Sequence, residues 1–301
     1  MKIKITSDST CDLTQELLDR FHIDTVPLYV IMDGVSYRDS MDITTEQIFA
    51  HVAAGGALCS TSAVSENDYI EFFTRELQDC DGLVHVTLSS KMSVCYQNAC
   101  NAARRFEHVQ VVDSLNLSSA QGLIVMEGAE LAQDQTLDEV QIAQRLREIV
   151  PKVDGSFVLE DLEYLRKGGR CSTVAALGAN LLGIKPCIEV HNGQMGVAKK
   201  YRGAYEKALR NYVRERLEGN DTLRTHRIMI THTPVDDGIV DMVRDEILQY
   251  QPFAEVLPTD ARGTISCHCG PIYPGDSVYS QIKIFRLRIK RRRAGYISID
   301  S

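Results

Sequence analysis

Three serines lie close together in the segment 88–93, where their side chains could bind an anion. The segment reads Leu-Ser-Ser-Lys-Met-Ser, which places Ser89, Ser90 and Ser93 on one short connection. The apolar, β-branched run before it predicts a buried strand, and the run 94–103 after it predicts a helix. Backbone N–H groups and the positive end of the helix dipole point to such a junction. The hydroxyls there either bind an oxyanion or only cap the helix.

Two further junctions of the same kind occur in the first third of the chain. The strand 2–6 leads into Thr-Ser-Asp-Ser-Thr-Cys-Asp at 6–12, and Ser-Thr-Ser-Ala-Val-Ser at 60–65 precedes a helix. In an open α/β sheet, the carboxyl ends of the strands lie along one edge, where ligands bind. Hydroxyls gathered at that edge favour a nearly uncharged site for a small acidic head group over three separate helix caps.

These junctions belong to a regular alternation of strand and helix in the first half of the chain. This pattern predicts an α/β fold with a mainly parallel sheet flanked by helices, a short hairpin at its edge near 32–37, and a domain boundary near 151–155. The predicted strands are 2–6, 25–30, 82–88 and 109–113, and the predicted helices lie near 14–21, 44–54, 66–78, 92–106, 119–133 and 137–149.

The second half predicts a smaller α/β sandwich, so that the chain divides into two α/β domains, 1–153 and 154–301. An unusually apolar stretch at 174–183 predicts a helix that either packs in the core or forms a wall against an apolar ligand. The other predicted elements are strands at 156–159, 227–232 and 254–257, a hairpin at 186–198 with its turn at 191–193, and helices near 161–170, 204–217 and 236–249.

Composition narrows the classes of function. The net charge of −8 over 301 residues disfavours nucleic acid as the main ligand. We find no signal peptide and no apolar run long enough to span a bilayer. The nine cysteines are scattered and odd in number, which is typical of reduced thiols. We therefore expect a cytoplasmic protein.

The sequence lacks the common signatures of phosphate loops, dinucleotide-binding folds and hydrolase nucleophiles. Cys267, His268 and Cys269 are adjacent and cannot easily converge on one ion, so we expect no metal and no cofactor. His268 precedes Gly270 and Pro271, which predicts a loop. Its ring either contacts an acid in a cleft or lies on the surface.

A local basic patch is formed by Lys199, Lys200 and Arg202. Such a patch is either a solvated face or a docking site for phosphate or an acidic partner.

Five motifs in order along the chain resemble the DegV family, the bacterial fatty-acid-binding proteins that serve as the lipid-carrying subunit of fatty acid kinase. The pair Leu-Glu-Tyr-Leu-Arg-Lys-Gly-Gly-Arg and Leu-Gly-Ile-Lys-Pro is the most specific. The matching segments are 7–13, 61–65, 88–97, 112–114, and 162–170 together with 182–186.

The resemblance implies that a long-chain fatty acid is buried between or beneath two α/β domains. It also implies that Thr61 and Ser93 bind the carboxylate, with Ser62 beside them and His268 reaching in from the second domain. Arg170 and Arg202 match positions that face the kinase or the phosphate. By this resemblance the chain is not an enzyme; a separate fatty acid kinase phosphorylates the bound acid, and transient contact with a membrane is expected.

The chain departs from the family pattern in three places. Val94 and Cys95 replace Gly-Thr, and Ala63 and Val64 replace Gln-Pro. From about residue 272 a basic tail replaces an apolar strand, for which we consider a change of reading frame just after Pro271. If the tail is real, we expect the second domain to lack its last strand.

Two alternatives stay open at this point. An enzyme acting on a small phosphorylated metabolite could use the hydroxyl loops to bind phosphate. A scaffold or regulator would bind neither lipid nor phosphate.

Overall fold

The computed structural model describes residues 1–159, 162–171, 183–234, 237–270 and 282–288. Residues 1–153 and 154–301 are called here the first and second halves. The strands of the first half are β1 (Ile3–Asp8), β2 (Asp24–Val26), β3 (Tyr29–Met32), β4 (Val35–Arg38), β5 (Ser60–Ser62), β6 (Gly82–Thr87) and β7 (Val109–Asp113). Its helices are α1 (Gln15–Phe21), α2 (Thr45–Ala53), α3 (Glu66–Glu76), α4 (Cys95–Ala103), α5 (Ser118–Leu131) and α6 (Glu139–Ile149).

The main sheet of the first half has four parallel strands in the order β2-β1-β6-β7. Helices α3 and α4 pack on one face of this sheet and share one hydrophobic cluster. Helices α5 and α6 pack on the other face and share a second cluster. Every residue of β6 is buried, as expected for a parallel strand covered on both faces. The predicted α/β class with a mainly parallel sheet flanked by helices is confirmed.

The predicted strand 25–30 is divided in two at Pro27, which has no N–H to donate to a neighbouring strand. Strand β2 ends before this proline, and β3 begins after it in a different sheet. There β3 pairs antiparallel with both β4 and β5. The hairpin predicted at the edge of the main sheet therefore belongs to a separate three-stranded sheet, to which Thr61 contributes.

The second half contains a mixed sheet of six strands, more than the main sheet of the first half. Its strands are β8 (Val153–Val158), β9 (Ile184–His191), β10 (Gln194–Arg202), β11 (Leu223–His232), β12 (Glu255–Asp260) and β13 (Ile282–Arg288), in the order β10-β9-β8-β13-β11-β12. Its described helices are α7 (Glu163–Gly168), α8 (Tyr205–Leu217), α9 (Asp237–Tyr250) and α10 (Gly263–Cys269). The predicted hairpin is confirmed, with Asn192 and Gly193 at φ 48° and 84° in the turn.

The expectation that the second half lacks a last strand is wrong. Residues 282–288 form β13, which pairs antiparallel with β8 on one side and β11 on the other, at the centre of the sheet. The sequence there carries Ile282, Ile284, Phe285 and Leu287 among basic residues. The expectation was based on the missing apolar ending of the family pattern, but these apolar residues form a strand further along the chain. The predicted helix 174–183 falls outside the described residues except for Gly183.

Helix α5 lies between the two sheets and contacts strands of both, β1 and β6 on one side and β8, β11 and β13 on the other. Its residues from Ser118 to Ala129 are all buried. Near its end, Glu127 accepts from Arg224 at 2.6 Å and Glu130 accepts from Arg227 at 2.9 Å. A helix of the first half therefore forms part of the core between the two halves. The division into domains at 153 stays a prediction.

Candidate functional site

A pocket of about 660 Å³ is lined by residues of both halves, within the range typical of small-molecule sites. It combines a group of hydroxyls and one histidine with apolar side chains. The polar and charged lining residues are Thr61, Ser62, Ser65, Ser90, Lys91, Ser93, Asn98, Arg170, Thr264 and His268. The other lining residues are Leu28, Ala63, Leu88, Met92, Val94, Leu117, Leu165, Met195, Ile265 and Cys269.

The serines of segment 88–93 differ in burial: Ser89 is buried, whereas Ser90 and Ser93 are half-buried and line the pocket. Ser89 is fully buried; it donates to the carbonyl of Gly193 at 2.7 Å and accepts from the N–H of Lys91 at 3.2 Å. Ser93 lines the pocket and also accepts from the N–H of Cys95, the first residue of α4, at 3.2 Å. Ser89 therefore has a structural role, whereas Ser93 both bonds to the start of α4 and lines the pocket. Ligand binding by Ser93 stays a prediction.

Val94, at which the sequence departs from the pattern it resembles, is accommodated without strain. Val94 has φ −80°, outside the left-handed region that a β-branched residue avoids. Its side chain is 62% exposed and lies beside Ser93 in the pocket lining.

Thr61 and His268 join the two halves at this pocket. Thr61 lies on β5, opposite Val30 of β3, and its Oγ1 is 2.8 Å from Nε2 of His268. The expectation that His268 lies on a loop is wrong, because it belongs to α10. The glycine that suggested a turn, Gly270, instead follows the helix with φ 83°, as glycine commonly does at a helix end.

Two carboxylates of the first half hold the start of α10 and so position His268. Asp12 accepts from the N–H of Arg262 at 2.9 Å. Asp39 accepts from the N–H groups of Gly263 and Thr264, each at 2.9 Å. Three successive backbone donors that a short helix leaves unsatisfied are thus paired across the boundary between the halves.

Burial and the nearby charge of Arg170 lower the pKa of His268 from 6.5 to about 4. The ring is therefore neutral near pH 7. Its Nδ1 is buried and has no hydrogen-bond partner among the described residues, whereas Nε2 faces Thr61. A neutral imidazole donates through one nitrogen only, so the tautomer decides which way the Thr61 hydroxyl points.

This pKa predicts how stability changes with acidity. Between pH 6.5 and 4 the unfolded chain binds a proton that folded His268 does not, so the free energy of unfolding falls as the pH is lowered through this window, by up to about 3 kcal/mol. Urea unfolding at several pH values should show a steeper decline for the wild type than for His268→Gln. Equal declines in the two proteins would contradict this assignment.

Gly168, the last residue of α7, leaves room for the His268 ring. A Cβ at this position would lie 2.4 Å from Nδ1 of His268. We expect Gly168→Ala to turn the ring away from Thr61 and to weaken binding of an acidic ligand about 10- to 100-fold, the value of one hydrogen bond to a charged group. Isothermal titration should show this loss in the wild-type background and no further loss in a His268→Ala background.

The two arginines singled out in the sequence lie in different places. Arg170 is exposed, lines the pocket and donates to the carbonyl of Gly168 at 2.7 Å. Arg202 is the exposed last residue of β10, opposite Ile184, and is not part of the lining. The structure thus brings Thr61, Ser62, Ser93, His268 and Arg170 to one pocket and leaves Arg202 outside it.

The junction at 6–12 does not contribute to the pocket, contrary to expectation. Its side chains are buried and paired within the protein. Asp8 accepts from Tyr69 at 2.6 Å and from the N–H of Leu88 at 2.9 Å, and Thr10 donates to Gln121 at 3.0 Å. These polar groups fix the positions of the strands around the pocket.

Within the described ranges, we find no cluster of three or more residues suited to hold a metal ion.

The described residues contain no helix that is both long and apolar enough to cross a membrane.

Comparison with known proteins gives matches over most of the chain. The model of the family described as uncharacterised protein, DegV family, matches residues 2–279. A DegV domain-containing protein from Clostridium acetobutylicum is 32% identical over 252 residues, which cover 83% of this chain and 89% of that protein. A fatty acid-binding protein from Thermotoga maritima is 29% identical over 280 residues, which cover 90% of this chain and 95% of that protein.

The solved structures agree with the sequence matches. A DegV family protein from Thermus thermophilus, described as binding fatty acid, superimposes with a TM-score of 0.82 at 29% identity, over 95% of this chain and all of that chain (100%). A DegV lipid binding protein from Thermotoga maritima superimposes with a TM-score of 0.81 at 25% identity, over 95% of this chain and 99% of that chain. The similarity covers both halves.

Proposed function

Because the chain belongs to the DegV family, we propose that it binds a long-chain fatty acid in the pocket between its halves and presents the carboxylate to a separate fatty acid kinase. In this proposal Thr61, Ser62, Ser93 and His268 contact the head group. The chain itself supplies no catalytic residue. The kinase supplies the nucleotide and its catalytic groups, and loading and unloading of the lipid take place in transient contact with a membrane.

One observation carries the proposal. The bonded pair Thr61 and His268 lies in the same pocket as an extensive apolar lining. A ligand with one acidic group and a long hydrocarbon chain matches both parts of this surface. The apolar side chains come from both halves and include Leu28, Leu88, Leu117, Leu165, Met195 and Ile265.

The neutral state of His268 suits a carboxylate that must stay reactive. With the proton on Nε2, the imidazole donates to Thr61 Oγ1, and the Thr61 hydroxyl is then free to donate to a carboxylate oxygen. Neutral donors of this kind satisfy the carboxylate without pairing it to a full positive charge. One oxygen therefore keeps its nucleophilic character.

Hydrocarbon burial supplies most of the affinity in this scheme. About 15 buried methylenes contribute on the order of 12 kcal/mol at about 0.8 kcal/mol each. Ordering the chain and losing the freedom of the separate molecules remove a large part of that gain. The head group then needs only to be satisfied, which hydroxyls and a neutral imidazole accomplish.

The proposed transfer needs a positive charge near the reacting oxygen but not on it. A carboxylate oxygen would attack the terminal phosphorus of a nucleoside triphosphate as the bond to the leaving diphosphate breaks, giving an acyl phosphate. Arg170 lines the pocket and is suited to pair with the transferred phosphoryl group. Arg202 lies outside the pocket, and we propose that it contacts the kinase.

Organic extraction of the purified, denatured protein tests the proposed ligand. We expect mass spectrometry to detect a fatty acid in near-stoichiometric amount. In titrations of delipidated protein, affinity should rise along a series of saturated fatty acids of increasing length and change little with salt. An affinity that does not depend on chain length and that falls as the salt concentration rises would instead indicate an enzyme for a phosphorylated metabolite. Recovery of neither class of ligand would favour a scaffold.

A further inference from the structure

Cys59 and Cys267 bring two thiols together across the boundary between the halves. Cys59 precedes β5 and stands two residues before Thr61, and Cys267 lies on α10 immediately before His268. Cys59 packs against the buried apolar cluster that contains Cys267, and each thiol affects the pKa of the other. The two side chains therefore lie in one cluster, Cys59 two residues before Thr61 and Cys267 one residue before His268.

The two cysteines differ in exposure, as an attacking and a resolving thiol do. Cys267 is buried in a small apolar cluster with Val30, Ile43 and Ile48. Cys59 packs against this cluster but is only half-buried, so a small solute reaches it first. Oxidation-sensitive thiols are typically accessible and placed next to a second cysteine.

The surroundings also favour the thiolate of Cys59. Interaction with the Cys267 thiol and the charge of His51 lower the pKa of Cys59 to about 7, against the opposing effects of partial burial and Asp33. Interaction with Cys59, burial and the negative charge of Asp39 raise the pKa of Cys267, so this thiol keeps its proton.

The other half-buried thiols serve as internal references. Burial raises the pKa of both Cys80 and Cys100, and hydrogen bonds and nearby positive charges only partly offset this effect. At neutral pH, these two are mostly protonated and react slowly with oxidants.

From this arrangement we infer that Cys59 and Cys267 form an oxidation site, at which a peroxide converts the two thiols into a reversible disulfide. The Cys59 thiolate attacks one peroxide oxygen, the O–O bond breaks, and the departing hydroxide takes up a proton, leaving a sulfenic acid. The sulfur of Cys267 then attacks the Cys59 sulfur; its proton and the released hydroxide form water. Overall, two thiols and one hydrogen peroxide give one disulfide and two waters.

The disulfide would cross-link the loop before β5 to α10, and hence the first half to the second. Because it closes a very long loop, it should raise the melting temperature by at least about 4 °C. A further consequence rests on the proposed function: with the halves fixed beside Thr61 and His268, exchange of a bound fatty acid should slow about tenfold or more. Cysteine disulfides in reducing compartments are commonly of this reversible, regulatory kind.

Limited oxidation of the full chain with hydrogen peroxide tests the inference. Non-reducing peptide mass spectrometry should recover the Cys59 and Cys267 peptides joined, lighter by two hydrogens, before Cys80 or Cys100 is modified. Dithiothreitol should restore both thiols and reverse the rise in melting temperature. Cys80→Ser, the matched control, should behave as the wild type, whereas Cys59→Ser and Cys267→Ser should show neither the cross-link nor the thermal shift.

Several results would overturn the inference. These are equal oxidation rates for Cys59 and Cys80, a disulfide from Cys59 to Cys269 instead of Cys267, or accumulation of Cys59 sulfinic acid in the wild type. None of these readouts requires a lipid, so they are independent of the proposed function. The exchange rate is measured separately with a fluorescent fatty acid, and an unchanged rate alongside the mapped disulfide would remove only the effect on the ligand.

Discussion

Replacing both Thr61 and Ser93 by alanine should weaken fatty-acid binding by roughly 10²- to 10⁴-fold. Each hydroxyl is proposed to donate one hydrogen bond to a charged carboxylate, and such bonds contribute about 1.5–3 kcal/mol each. The apolar lining remains in the double variant, so residual binding should still increase with chain length. Displacement of a fluorescent fatty acid measures the loss, and phosphorylation by the proposed partner kinase should stop.

The control for this double variant removes a threonine and a serine that do not line the pocket. Thr74 is exposed on α3 and Ser36 is exposed on β4. Thr74→Ala with Ser36→Ala should leave binding unchanged, and thermal unfolding establishes that both double variants are folded. Wild-type affinity and turnover in a folded Thr61→Ala, Ser93→Ala protein would move the head-group site elsewhere.

Loss of the Asp39 carboxylate should produce the largest change in stability. Asp39 is 1% exposed and accepts from two backbone N–H groups of α10, as well as from Ser9 and Ser40. Asp39→Ala leaves these donors buried without their partner, at about 1–3 kcal/mol for each backbone group. We expect the free energy of unfolding to fall by about 3–5 kcal/mol and fatty-acid binding to weaken with it, because α10 carries His268.

Asp42 is the matched control, because it lies three residues away and is mostly paired with exposed Arg38. Asp42→Ala should change both stability and binding far less. Urea unfolding gives the free energies of unfolding. Binding is measured without urea, at a temperature well below the thermal transition of either protein. If Asp39→Ala unfolds like the wild type, the pairing of α10 with the first half does not stabilise the protein.

The sequence was sufficient for much of the fold and for the composition of the pocket. The hydrophobic periodicity identified β1, β6, β7 and the helices around them, because these elements bury continuous or regularly spaced apolar residues. The hydroxyl motifs at 60–65 and 88–93 do line one pocket, together with His268 from the other half. That pairing came from the family resemblance, since 207 residues separate Thr61 from His268.

The interactions that position the site carry little signal in the sequence. Nothing next to Asp39 indicates that its carboxylate pairs with a helix more than two hundred residues later. In the sequence, Gly168 predicts only the end of a helix. In the structure, its lack of a Cβ also makes room for the ring of His268. The hydroxyls of 6–12 carry the same pattern as the other two junctions, and only the buried partners of Asp8, Thr10 and Asp12 distinguish them.

Helix α5, enclosed by both sheets, determines how the chain can be dissected. A fragment cut after residue 153 would expose to water the face of α5 that packs on Met229 and its sheet, and it would leave Glu127 and Glu130 without Arg224 and Arg227. The fragment 154–301 would lose the contacts that α5 makes with its strands β8, β11 and β13. Neither piece can be expected to survive as an autonomous folding unit, and denaturation of the intact chain should follow a single sigmoidal curve.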